Sequence, residues 1–193
     1  MLFLHSIMGV GTNFFPMDIK KTPKLQGMLT DDEFTHIEAF PSFVRLLNHH
    51  ALVVELGANS ERLGELKGIT FHRVIDNKEL TLTADQLWVQ LNYQVVHLLD
   101  FLPASNWGAL AGAPLFQVFI ALHKLMVKTS TLVAKVDFDL SSGEKSGTGL
   151  PITLGGLIGR IAPDEIKKKM AVKAIHKFSK AIGHSLDYKL QWA

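Results

Sequence analysis

The sequence predicts a single α+β domain in which an antiparallel sheet is covered on one face by amphipathic helices. Three observations lead to this class: a strongly periodic helix over residues 84–102, a β-hairpin over residues 69–83, and a closing segment in which apolar and polar residues alternate. With 193 residues, 47% of them hydrophobic, the chain has the size and composition of one domain with a substantial core.

Residues 1–16, MLFLHSIMGVGTNFFP, are apolar but lack the cationic start and the small-residue cleavage site of a signal peptide. We interpret them as an N-terminal arm or extension that docks on the body of the protein or on a neighbouring molecule. Otherwise Phe3, Phe14 and Phe15 would face water. Residues 17–193 then form the α+β domain.

A helix is expected to begin after Thr30, because the acidic residues 31–33 would occupy its first turn, where the helix dipole favours negative charge. Pro41 is expected to interrupt this helix, so that SFVRLLNHH forms a second helical piece. The apolar run HALVVELG at residues 50–57 fits either a strand or the end of a helix.

The middle of the chain contains the predicted hairpin, formed by ITFHRVI (69–75) and ELTLT (79–83) around a polar turn. Thr83 and Gln86 then have the spacing of a capping box, and apolar residues recur at helical spacing behind them. From Pro114 the sequence would form a helix that is apolar on nearly every side, which predicts that this helix is buried. Its polar interruptions argue against a membrane span.

The C-terminal part contains two predicted strands, a helix and a third strand. Alternation in residues 131–140 predicts a half-buried strand, and the glycine-rich run at 150–161 predicts another, with a bulge. The stretch APDEIKKKMAVKAIHKFSKAIG (162–183) predicts a helix that begins near Pro163 and ends at Gly183. The closing SLDYKLQW predicts a strand that must pair with a sheet edge.

The net charge of +2 conceals a division of the chain. Residues 1–100 carry eight Lys or Arg against twelve Asp or Glu, a net charge of −4, whereas residues 101–193 carry twelve against six, a net charge of +6. An acidic half and a basic half could meet within one molecule or between neighbouring molecules.

The helix at 162–183 carries six lysines. We expect its apolar residues at every fourth position to face the core, namely Ile166, Met170, Ala174, Phe178 and Ile182. A solvated face explains the lysines, and contact with an acidic protein surface, such as the front half of another copy, is the functional interpretation. No arginine interleaves with the lysines, which argues against nucleic acid. The candidate partner-binding residues are Lys167, Lys168, Lys169, Lys173, Lys177, Phe14 and Phe15.

No metal, cofactor or catalytic residue is expected. The chain has no cysteine, which excludes thiolate chemistry and suits a reducing compartment, and we expect a cytoplasmic protein. Glu33 and His36 have the spacing of two metal ligands on one helix, but the nearest second pair has Gln94 in place of a carboxylate. His49 and His50 are adjacent, so on a helix they point about 100° apart and do not chelate together easily.

The leading hypothesis is a non-enzymatic interaction or assembly protein that acts as a homo-oligomer or as a complex subunit. Two alternatives stay open. One is a carrier or sensor of an apolar small molecule, although the residues that would line its pocket also suit an ordinary core: Trp88, Trp107, Phe116, Phe119 and Met126. The other is an enzyme whose polar residues converge from distant parts of the sequence: His36, His49, His72, His97 and Asp137.

Overall fold

The computed structural model describes residues 4–9, 13–105, 114–133, 136 and 163–193. It has the α+β class that the sequence predicts, and the described residues form helices on a three-stranded antiparallel sheet. After a short 3-10 turn at Ile19–Lys21, the described elements are α1 (Thr22–Gln26), α2 (Asp31–Asn48), α3 (Ala51–Ala58), a 3-10 segment (Ser60–Glu65), β1 (Leu66–His72), β2 (Glu79–Thr83), α4 (Ala84–Ser105), α5 (Pro114–Lys128), α6 (Asp164–Ala181) and β3 (Tyr188–Trp192).

The sheet has the strand order β2-β1-β3, and both pairings are antiparallel. Ile69 in the centre of β1 lies opposite Leu82 on one side and Leu190 on the other, and all three are buried beneath the helices. The opposite face is polar, where the hydroxyl groups of Thr70 and Thr81 lie 2.9 Å apart. The predicted hairpin is confirmed, and the predicted closing strand pairs with β1 of its own chain.

Helix α4 packs on β1 and β2 and has the stripe that the sequence predicts. The capping box is formed in both directions, because Thr83 N donates to Gln86 Oε1 over 3.1 Å and Gln86 N donates to Thr83 Oγ1 over 3.2 Å. Its buried apolar side chains recur about once per helical turn and include Leu87, Leu91, Val95 and Leu98.

Helix α2 begins as predicted, with a capping box in which Thr30 and Glu33 bond reciprocally. The expected interruption at Pro41 is wrong, because α2 continues through Pro41 to Asn48. A proline inside a helix costs about 3 kcal/mol. Here the burial of large side chains on both sides of it, Phe40 and Phe43 among them, outweighs that cost. The ambiguous run at 50–57 is helical and corresponds to α3.

The main core lies between the sheet and α2 to α5, and a second, smaller cluster lies beneath the N-terminal arm. In that cluster Met8, which is 1% exposed, packs with Leu25, Phe34 and Ile37. The described part of the arm therefore docks on the body of its own chain. None of the described helices combines the length and apolar character needed to cross a bilayer.

Two predicted strands fall wholly or largely outside the described residues. Residues 131–133 form no strand, and most of 134–140 and all of the glycine-rich run at 150–161 lie outside the description. Phe3, Trp107 and Asp137 lie outside it as well. Gly183 follows α6 with φ 69°, a left-handed conformation that suits glycine, so the predicted end of this helix is confirmed.

Candidate functional site

Helix α6 faces the body with a different side from the one that the sequence predicts. Ile175 and Ser179 are buried, whereas Ile166 and Met170 are 48% and 56% exposed. Ala174 and Ile182 are exposed too, so of the predicted core stripe only Phe178 is partly buried. The expectation that this stripe faces the core is therefore wrong.

Buried polar contacts explain this orientation. Arg45, on α2, is 0% exposed and donates from Nη1 to Ser179 Oγ over 3.1 Å. It also donates from Nη2 to Asn13 Oδ1 over 2.9 Å, and the Asn13 amide donates to the carbonyl of Phe178 over 3.0 Å. His184 Nδ1 lies 3.2 Å from the same Ser179 hydroxyl. A guanidinium removed from water needs these partners, so the helix turns its serine inward.

Desolvation lowers the pKa of Arg45 to about 10, which leaves it charged at neutral pH. Arg45 thus ties the N-terminal arm, α2 and α6 together through Asn13 and Ser179.

The outward side of α6, which we call the outer α6 face, consists of Ile166, Lys169, Met170, Lys173 and Lys177, all exposed. Each of these positions is three or four residues from another of them, so together they cover one side of the helix. Of the other predicted partner-binding residues, Lys167 and Lys168 are half-buried on the flank of α6.

The arm adds an aromatic residue near this helix. Phe14 is 63% exposed, and the preceding Asn13 is bonded to the last turns of α6. Phe15 is partly buried, with its ring against Gly9. The structure thus brings Phe14 and the lysine helix, which the sequence singled out separately, to the same region.

A pocket of about 190 Å³ lies where α3, α5 and α6 meet. Its walls combine four apolar and four polar residues: His50, Val53, Val54, Pro114, Gln117, Ala121, Glu165 and Lys168. His50 is 8% exposed and has a left-handed backbone with φ 66°, which is uncommon for a residue with a side chain. Within the described part of the chain, neither of its ring nitrogens has a hydrogen-bond partner. Burial, and then the neighbouring Lys168 and His49, lower the pKa of His50, so its ring is neutral at pH 7.

His49, next to His50 in sequence, contacts His176 of α6. His49 Nε2 and His176 Nε2 are 3.0 Å apart, and the two rings are inclined by 80°. Burial first, and then the proximity of His176, lower the pKa of His49. The sequence gives no sign of this pair, because its members are 127 residues apart.

The histidines of the enzyme hypothesis have separate surroundings. His36 Nδ1 bonds to Gln90 in the α2–α4 interface, and His97 Nδ1 lies 3.1 Å from His5 Nε2. His72, the last residue of β1, has its Nδ1 3.4 Å from the carbonyl oxygen of Asp187, just before β3. The described members of this set therefore do not converge in one cleft.

The Glu33–His36 spacing produces no metal site either. Glu33 is engaged in capping α2, and His36 Nε2 faces Asp32 at 3.8 Å instead. Among the described residues there is no group of three or more histidines and carboxylates able to hold a metal ion.

The candidate residues for an apolar ligand lie in the core. Phe116, Phe119 and Met126 are buried in the main cluster, Trp88 packs against it, and none of the four lines the pocket at α3, α5 and α6. No protein-family model, no curated protein and no solved structure matches the chain.

Proposed function

We propose that the protein is a non-enzymatic interaction protein whose outer α6 face binds an acidic protein surface, and that this surface belongs to a second copy of the chain. The observation that carries this proposal is the exposure of Ile166 and Met170 one turn apart, on the same side of α6 as three lysines. A contiguous exposed surface that combines apolar side chains with charges of one sign is typical of a contact site.

The two kinds of side chain would contribute differently to binding. Burying a whole Ile or Met side chain yields about 1.5–3 kcal/mol, and because these two are about half exposed, together they would yield roughly 1.5–3 kcal/mol. The lysines would accelerate and orient the encounter with an acidic surface, and their effect would weaken as salt is added.

The charge of the chain favours a second copy as the partner. Residues 1–100 carry a net charge of −4, and exposed acidic residues occupy the first turn of α2, including Asp31 and Asp32. The basic α6 of one copy would therefore find a complementary surface on another. The arm and the closing strand, which the sequence also suggested as contact surfaces, are accommodated within one chain, so they add no support.

A cytoplasmic location is part of the same proposal. Its support is the absence of cysteine from the sequence, which suits a reducing compartment.

Light scattering at 50 mM and at 0.5 M salt tests the proposal. We expect the wild-type protein to associate at low salt and to become monomeric at high salt. The triple variant K169E/K173E/K177E should be monomeric in both conditions. The matched control is K20E/K21E/K24E, which makes the same charge change at exposed residues at the front of the chain and should still associate.

A second variant, I166S/M170S, tests the apolar part of the surface and should weaken association at both salt concentrations. A wild-type protein that is monomeric throughout would refute self-association. Equal behaviour of the two lysine triples would show that net charge, and not the outer α6 face, controls it.

A second candidate function is the carrier or sensor of a small molecule, favoured by the pocket around His50. Its apolar side chains, with Gln117, Glu165 and Lys168 beside them, suit a small molecule that has an apolar body and a polar group. Native mass spectrometry of the purified protein should then show a bound species, and Ala121→Trp, which fills the pocket, should remove it. A wild-type protein that carries no added mass, and takes up none from a mixture of short-chain carboxylic acids, would end this candidate.

A further inference from the structure

The contact between His49 and His176 joins two distant parts of the chain at the surface. His49 directly follows α2 as its C-cap, and His176 lies in the second half of α6. Their Nε2 atoms are 3.0 Å apart, and the ring centroids are 4.9 Å apart. The two nitrogens therefore face each other, and solvent reaches the site.

Two imidazole nitrogens at this distance can share either a proton or a metal ion. An N–H···N hydrogen bond has a length of about 2.7–3.2 Å, so one neutral donor and one neutral acceptor satisfy the geometry. The separation also suits metal coordination. With metal–nitrogen bonds of about 2.0–2.1 Å, two ligands stand about 2.9 Å apart at a right angle and about 3.3 Å apart at the tetrahedral angle. The observed 3.0 Å lies between these values, so the separation of the two nitrogens matches that of two ligands of one ion.

Both histidines must be neutral to bind a metal. Each imidazole would then offer the lone pair of its Nε2, and these two atoms lie 3.0 Å apart. The two rings come from separate helices, so an ion between them would connect α2 to α6 directly.

The ligand set determines the class of ion. Imidazole nitrogen suits zinc, nickel and copper, whereas magnesium and calcium require oxygen ligands. Because the described residues form no cluster of three or more such ligands, the ion would hold two imidazoles and complete its coordination with water.

We propose that His49 and His176 together bind one divalent transition-metal ion of the zinc, nickel and copper class, which clips α6 to the end of α2. The ion would stabilise the folded chain by mass action, because the two ligands are close together only when the protein is folded. This site is independent of self-association and requires no second copy.

Calorimetric titration and thermal unfolding of the full chain, without a histidine tag, test the site with Zn²⁺ and Ni²⁺ and with Mg²⁺ for comparison. We expect one Zn²⁺ per chain and a Tm that rises with Zn²⁺ concentration, and no effect of Mg²⁺. His49→Gln and His176→Gln should each weaken Zn²⁺ binding by about tenfold or more, because glutamine can replace the hydrogen bond but is a poor ligand. The matched control is His72→Gln, a histidine at the end of β1, which should bind Zn²⁺ like the wild type.

Circular dichroism of each variant establishes that the helices are intact, and two independent single variants guard against the failure of one to fold. The proposal is overturned if the wild type shows neither Zn²⁺ heat nor a Tm shift. It is overturned equally if His49→Gln and His176→Gln respond to Zn²⁺ as the wild type does.

Discussion

Replacement of Gly68 by alanine should destabilise the protein strongly, although it adds one methyl group. Gly68 lies in β1, the central strand, opposite Thr83 of β2 and Gln191 of β3. A Cβ at this position would stand 2.2 Å from the carbonyl oxygen of Leu82 and 3.3 Å from the Cα of Thr83. Both neighbours are backbone atoms of β2, so no side-chain rotation relieves the contact.

The cost follows from the displacement that is needed. The separation of 2.2 Å must grow to at least 3.0 Å before it resembles a real Cβ contact, so β2 must shift by most of an ångström along its length. Overpacking of this kind costs about 1–3 kcal/mol, and the loss of a ladder hydrogen bond adds about 1 kcal/mol. We expect a loss of roughly 3 kcal/mol, which for a domain of this size lowers Tm by about 6–12 °C.

Gly57→Ala is the matched control, because it makes the same chemical change in α3, where a Cβ meets nothing within 4 Å. A glycine in a helix costs about 0.5–1 kcal/mol relative to alanine, so this variant should be more stable than the wild type. Urea unfolding of both variants measures the two effects. A Gly68→Ala variant within about 0.5 kcal/mol of the wild type would show that the register of β1 and β2 given above is incorrect.

Three further predictions concern charge and exposure. Burial, and then the neighbouring His5, lower the pKa of His97 to about 4. As the pH falls through 6.5, His97 therefore becomes protonated in the unfolded chain but not in the folded one. The free energy of unfolding should be highest above pH 6.5 and should fall by about 3 kcal/mol as the pH drops towards 4. Urea unfolding of His97→Gln should show a smaller fall. Arg73 donates to the buried carboxylate of Glu38 and also to Asp76, so Arg73→Met should cost about 2–4 kcal/mol, and the double variant R73M/E38M should recover the part that comes from Glu38 in a double-mutant cycle. Hydrogen peroxide at 0.5 M salt should oxidise Met170 well before the buried Met126, as followed by mass spectrometry, and a protected Met170 would contradict the orientation of α6.

Local chemistry in the sequence determined much of the fold. The capping boxes at Thr30 and Thr83, the hairpin before α4 and the alternation of the closing strand all depend on residues within a few positions of each other. Capping hydrogen bonds and hydrophobic periodicity depend on residues that are close in sequence, so they can be predicted without knowledge of distant contacts.

Tertiary packing decided the features on which the proposals depend. Periodicity predicted that the side of α6 containing Met170 faces the core, but the buried hydrogen bond between Arg45 and Ser179, across 134 residues, selected another side and left Met170 in water. The continuity of α2 through Pro41 and the meeting of His49 with His176 likewise result from contacts between distant segments. A sequence records which side chains are available, whereas the free energy of burying them depends on neighbours that come together only when the chain folds.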